Sequence, residues 1–167
     1  GVFLRALSLG ADVVTANKKP IAGSLSDFEA LYATAEQHRR VLRAEATVGA
    51  GLPVLDTLQM LLATGDTLHR AEGCLSGTLG YLMGAMENGE PLSAAVRSAV
   101  ELGFTEPDPV ADLSGVDVAR KATILSRLAK MPSVPVQLTG LVPEDWAGMP
   151  LDALLMRLET LDASMTA

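Results

Sequence analysis

Asp117 and Lys121 put an acid and a base four residues apart in a segment, Ser114 to Leu125, that reads as a helix. Residues at this spacing stand one above the other on a helical face. Continuing the face leads to Ile124 and Leu128, so a charged pair heads a stripe whose later members are apolar. One reading is a surface ion pair with a capping aspartate, worth roughly 0.2–0.5 kcal/mol. The other is a lysine held at a cleft wall, able to stabilise a developing alkoxide and deliver a proton to it. The loop before this helix carries Glu106, Asp108 and Asp112, interrupted by Pro107 and Pro109. Prolines reduce the freedom of the unfolded loop and can preset its geometry. Carboxylates on such a loop suit the ammonium group of a small substrate. A solvated acidic loop and a hard-cation site are the competing readings, although the spacing is not that of an EF-hand.

Two glycine-containing stretches offer backbone groups. Thr47-Val48-Gly49-Ala50-Gly51-Leu52 has neither the G-x-G-x-x-G pattern nor the Lys-Ser/Thr ending of a P-loop. With Glu45 nearby, its turned-in carbonyls could hold a monovalent cation; a tight strand-to-helix turn is the plainer explanation. Ser76-Gly77-Thr78 sets hydroxyls and N–H groups at a helix start, which suits a carboxylate and equally suits capping. Asn17-Lys18 follows a short apolar strand, and open α/β sheets place ligands beyond the carboxyl ends of their strands. Cys74 and Trp146 read as packing residues, His38 as a helix-end residue, and His69 has no partner at metal-ligand spacing.

The elements that must hold these residues follow from turn and cap signals. A helix over Phe3–Leu9 is closed by Gly10, and Val13-Val14-Thr15 is a short strand: half of an α/β unit. Ser26-x-x-Glu29 has capping-box spacing for a helix to about His38, with Leu31, Ala35 and His38 on one face. A strand is expected over 41–47. Pro53 opens a helix to Thr64 with an apolar face of Val54, Leu58, Leu61 and Leu62. Residues 67–74 and 134–138 are further strand candidates. Helices are expected from Ser76 to Asn88, from a Ser93 cap to Leu102, from a Ser114 cap to about Lys130, and over 149–163.

The chain has 167 residues, 49% of them hydrophobic and 20% charged, a balance that folds rather than staying disordered. Its formal charge of −7 and the lack of a Lys/Arg run exclude a phosphate-backbone binder, so no nucleic-acid partner is expected. One cysteine excludes an internal disulfide framework and is compatible with a reducing compartment. No apolar stretch is long enough for a membrane span. The chain opens in a helix without Met, which reads as a cut through a larger protein.

Four blocks in order resemble homoserine dehydrogenases. They are Asp12-Val13-Val14-Thr15-Ala16-Asn17-Lys18; Glu45 through Pro53; Leu75-Ser76-Gly77-Thr78-Leu79-Gly80-Tyr81; and Gly103 through Pro109 with Asp112 through Lys121. The wording is closest to the dehydrogenase half of bifunctional aspartokinase–homoserine dehydrogenases, and the resemblance thins past about residue 140. It implies an α/β fold: the tail of a Rossmann-like nucleotide-binding domain, then an α+β substrate domain with a mixed sheet. Residues 1–50 would be the nucleotide-domain remnant and crossover, 51–150 the substrate and dimerisation domain, and 151–167 an incomplete C-terminal segment.

The resemblance further implies a cytoplasmic homodimer reducing aspartate 4-semialdehyde to homoserine with NADP or NAD as cofactor. Lys121 would be the general acid-base and Asp117 would hold it. Lys18 would lie between cofactor and substrate, with Asn17 and Gly103 at the cofactor. Glu106, Asp112, Thr78 and Gly77 would contact the substrate. Glu45 and the backbone oxygens of Val48, Ala50 and Leu52 would form a sodium or potassium site. The family's glycine fingerprint is not among these residues. That leaves a non-catalytic dimerisation or substrate-domain module as the alternative. Another NAD(P)-linked amino-acid dehydrogenase is disfavoured by the Asp112-to-Lys121 match.

Overall fold

The computed structural model describes residues 1–132 and 136–165. The chain forms two compact units, one of residues 1–72 with 120–136 and one of residues 73–119 with 137–167. No helix among the described residues is long and apolar enough to cross a membrane.

In the first unit, helix α1 (Val2–Ser8) leads into strand β1 (Val13–Val14). β1 pairs in parallel with β2 (Leu42–Arg43), Val13 opposite Leu42 and Val14 opposite Arg43. The ladder extends on both sides, with Val13 N–H donating to Val41 O at 2.8 Å and Thr15 N–H to Arg43 O at 2.9 Å. Asp12 fastens the start of the pair by accepting the Val41 N–H at 2.8 Å. A parallel pair needs a crossover, here the short α2 (Lys19–Ala22) and α3 (Leu25–Gln37), and α1 and α2 both pack on α3. Leu7, Val13, Leu31 and Ala35 form the core of this layer.

Capping sets where α3 begins. Ser24, not Ser26, accepts the Asp27 N–H at 3.1 Å and donates its hydroxyl to the Asp27 carboxylate at 2.6 Å. The box therefore starts two residues earlier than the sequence predicts, and His38 is the C-cap of α3, the helix-end position expected of it. The strand expected over 41–47 is confined to Leu42–Arg43, because the chain turns into a 3-10 helix over Glu45–Thr47. That turn is closed locally: the Thr47 N–H and hydroxyl both donate to Ala44 O, at 2.9 and 2.6 Å. Helix α4 (Val54–Ala63) follows and buries Leu55 and Leu58, leaving Leu61 of the expected apolar face exposed.

The second unit is helical: α5 (Gly77–Glu87), α6 (Leu92–Glu101), α7 (Pro109–Leu113), the first turn of α8 (Val116–Leu128) and α9 (Leu151–Met165). Helix α6 packs against both α5 and α9. Leu82, Leu92, Val96, Leu113, Leu154 and Leu158 are fully buried between them. Ser76 caps α5 as its position predicts, accepting the Leu79 N–H at 3.1 Å. Ser93 does not cap α6, whose N-cap is Pro91. Instead the Asp162 carboxylate of α9 receives the Ser93 hydroxyl at 2.6 Å and its N–H at 3.2 Å. An anion from a different helix thus meets a backbone N–H and a hydroxyl at a helix start.

The expected mixed sheet does not form among the described residues; β1 and β2 make the sheet there. Residues 67–74 carry no ladder and are nearly all exposed, with no alternation of apolar and polar residues to bury one face. Part of the 134–138 strand candidate lies outside the described residues, and residues 136–138 have no regular structure.

Candidate functional site

The loop that leaves α6 is fixed at several points within the second unit. Gly103 takes φ +70°, a left-handed turn that favours glycine, and Phe104 follows it. The Thr78 hydroxyl donates to Phe104 O at 2.6 Å, and the Tyr81 ring meets the Phe104 ring edge-on with centroids 5.2 Å apart. Asp112 accepts the Glu106 N–H at 2.8 Å. Asp108 accepts the Val110 N–H at 3.0 Å as the cap of α7, and the Gly148 N–H at 2.9 Å. These bonds leave Glu106 at an exposed position, while Asp112 is buried.

The expected substrate ligands therefore divide by geometry. Glu106 lies at an exposed position. Asp112 and Thr78 spend at least one polar group each on the loop backbone. Gly77 is the first residue of α5 and is exposed, with nothing within 4 Å of where a Cβ would stand. Asp117, 6% exposed, lies in the first turn of α8, and Lys121 follows one turn later and half-buried.

Sequence reading missed the strap that seals this helix start. Leu141 N–H donates to Leu113 O at 2.7 Å, and a Cβ on Gly140 would stand 2.5 Å from Ser114 O. Gly115, at φ +76°, is pressed by Leu138, 2.8 Å from its would-be Cβ. The available signal was Gly140 itself, since close backbone approach excludes a side chain. Ser114, expected as a cap, is buried, and its hydroxyl has no hydrogen-bond partner among the described residues.

In the first unit, the turn after β1 is built from its own side chains. Asn17 N–H donates to Thr15 Oγ1 at 2.9 Å, and Asn17 Oδ1 accepts the Lys19 N–H at 3.1 Å. Lys18, half-buried, sits between them at the start of α2, beyond the carboxyl end of β1. Asn17 shapes this turn through both its backbone and its side chain.

The Glu45 carboxylate accepts the N–H groups of Leu55 and Asp56 at 2.9 and 2.8 Å. It thereby caps α4, whose N-cap residue Pro53 has no side-chain acceptor. The turn between holds two successive left-handed residues, Gly49 at φ +83° and Ala50 at φ +52°. Leu52 O accepts the Val54 N–H at 2.8 Å, which leaves a second lone pair on that oxygen. Carboxylate and carbonyl oxygens are the donor type a hard cation takes. Among the described residues no three His, Cys, Asp or Glu side chains gather as a metal-ligand group. Cys74 is exposed rather than packed, and Trp146 lies under the Arg157 guanidinium at 5.0 Å.

Comparison with known proteins adds independent findings. The homoserine dehydrogenase family profile matches residues 53–162. The homoserine dehydrogenase of Emericella nidulans is 41% identical over 99% of this chain and 48% of its own. The bifunctional aspartokinase/homoserine dehydrogenase of Haemophilus influenzae is 43% identical over 97% of this chain and 20% of its own. Among solved structures, a hyperthermophilic archaeal homoserine dehydrogenase in complex with NADPH superposes with a TM-score of 0.70. It is 31% identical, over 76% of this chain and 39% of that one. The chain thus spans about half or less of the length of these relatives.

Proposed function

The chain belongs to the homoserine dehydrogenase family, and from that membership we propose that the whole protein interconverts aspartate 4-semialdehyde and L-homoserine with NADPH or NADH. The observation that supports the reading lies within the second unit: the fastened loop in which buried Asp112 holds the Glu106 backbone, leading to buried Asp117 at the start of α8.

Lys121 would protonate the aldehyde oxygen as charge gathers there, and take the proton back in the reverse direction. Asp117 would hold the ammonium of Lys121 in place. Glu106 would face the substrate ammonium, and Asp112 would keep Glu106 at the right height by holding its backbone. Thr78 and Gly77 would meet the amino-acid end. Lys18 would lie between cofactor and substrate, with Asn17 shaping its turn, and Gly103 would allow close approach of the nicotinamide. When bound, the reduced nicotinamide supplies a hydride to the aldehyde carbon. The side chains need only place charge and protons, without a covalent intermediate.

These 167 residues contain no G-x-G-x-x-G stretch, so their part in cofactor binding would be confined to the nicotinamide end. A sodium or potassium ion would be held by Glu45 with the carbonyls of Val48, Ala50 and Leu52, a set whose oxygen chemistry fits. Residues 1–50 would belong to the nucleotide-binding domain, 51–150 to the substrate domain and 151–167 to an incomplete C-terminal segment. The whole protein would work as a cytoplasmic homodimer, with the exposed Met60 and Leu61 of α4 as candidate contacts.

The test is homoserine-dependent reduction of NADP or NAD by the whole protein, with other amino acids as controls. Turnover selective for homoserine is the expected result. Absence of turnover at saturating cofactor would contradict the reading and favour a non-catalytic substrate-domain module.

A further inference from the structure

One side chain fastens the backbone behind Lys18 to helix α8. Arg127 donates from Nη1 to Ile21 O and from Nη2 to Gly23 O, the latter at 2.7 Å. Its guanidinium carbon lies 5.4 Å from the centre of the Phe28 ring. Both carbonyls close the end of α2, where helix oxygens lack intrahelical partners. At its other end the same short helix is tied to Lys18, whose carbonyl accepts the N–H groups of Ile21 at 3.1 Å and Ala22 at 2.8 Å. Ile21 is fully buried between the two attachments. A helix this short has little stability of its own, so its placement depends on such tethers. The planar guanidinium reaches two carbonyls and stacks on a ring at once, a geometry an ammonium does not reproduce. All of these groups lie in the first unit, as does Lys121.

We propose that Arg127 is a positioning residue for Lys18, holding the Lys18 turn in register with the part of α8 that carries Lys121. The proposal rests on the function above, in which both lysines serve the reaction. Arg127 touches neither substrate nor cofactor in this account. It acts by fixing where α2 begins, and a displacement of about 1 Å at a reacting group can cost on the order of a hundredfold in rate.

A double-mutant cycle in the whole protein separates positioning from general support of the fold. Turnover is measured for wild type, Lys18→Ala, Arg127→Met and the double variant, with circular dichroism confirming that each is folded. Arg127→Met is expected to lower kcat roughly ten- to hundredfold, with the KM for homoserine little changed. In the Lys18→Ala background the same change should cost less than about twofold, since the group it positions is gone. Arg127→Lys, which keeps the charge and one bond, should recover part of kcat; if the Met variant does not fold, the Lys variant goes through the same cycle. Normal turnover of Lys18→Ala would remove the role of Lys18 and the proposal with it. An impaired Lys18→Ala with an equal Arg127 effect in both backgrounds would leave the function standing and overturn the positioning role.

Discussion

Asp112 accepts the backbone N–H of Glu106 at 2.8 Å from a side chain that is 5% exposed. These two carboxylates therefore differ in placement: Asp112 is buried and fastens the Glu106 backbone, and Glu106 lies at an exposed position. Replacing Asp112 by Ala strands the Glu106 N–H and removes a bond to a charged acceptor, worth roughly 1.5–3 kcal/mol. We expect a lower thermal midpoint and a higher KM for homoserine. Asp112→Asn, which keeps an oxygen acceptor, should lose less of both. Equal effects of Ala and Asn would argue against the backbone bond as the cause.

Glu45 caps α4 through the N–H groups of Leu55 and Asp56. Glu45→Ala should destabilise the protein by about 0.5–2 kcal/mol in urea titrations. The proposed cation site adds a second readout. Potassium or sodium should raise the melting temperature of the wild type and leave the Ala variant unmoved; an identical response in both would assign Glu45 to capping alone.

Burial pushes the pKa of Tyr32 above its ordinary value of 10.0. The folded state therefore keeps this proton after the unfolded chain has released it. The contribution to stability is intact below about pH 10 and is lost as pH rises through the folded value. Tyr32→Phe should flatten the fall in urea midpoint above pH 10. Parallel curves for the two proteins would show that Tyr32 does not drive that fall.

The Ser93–Asp162 pair ties α6 to α9 through a bond to the backbone and one to the hydroxyl. Asp162→Ala should cost on the order of 1–2 kcal/mol, as loss of a helix cap does. Ser93→Ala should cost less, because the backbone N–H can still reach the carboxylate. Denaturant midpoints of the two variants give the order directly.

Much of this architecture was legible in the sequence where one short stretch decides an element. Gly10, Gly65, Gly89 and Gly103 each end a helix where their turn chemistry requires, and all have positive φ. Asp117 and Lys121 fall on one continuous helix as their spacing predicts. What was not legible depends on distant partners. Ser93 looks like a cap until Asp162 arrives from α9, and the capping of α4 by Glu45 shows only once Leu55 and Asp56 present their N–H groups. Residues 67–74 read as a strand, yet a strand exists through its neighbour, and no described segment pairs with them. Arg127 carried no local signal, because its partners Ile21 and Gly23 lie far away along the chain.

The central claim is that Lys121 moves the proton of the reaction, and the direct measurement is turnover of Lys121→Ala in the whole protein. A positioned proton donor contributes roughly 10²–10⁴-fold, so kcat should fall by that order in both directions. The circular dichroism spectrum should match the wild type, and affinity for the nicotinamide cofactor should be kept. A folded Lys121→Ala protein that oxidises homoserine at near wild-type rate would contradict the account.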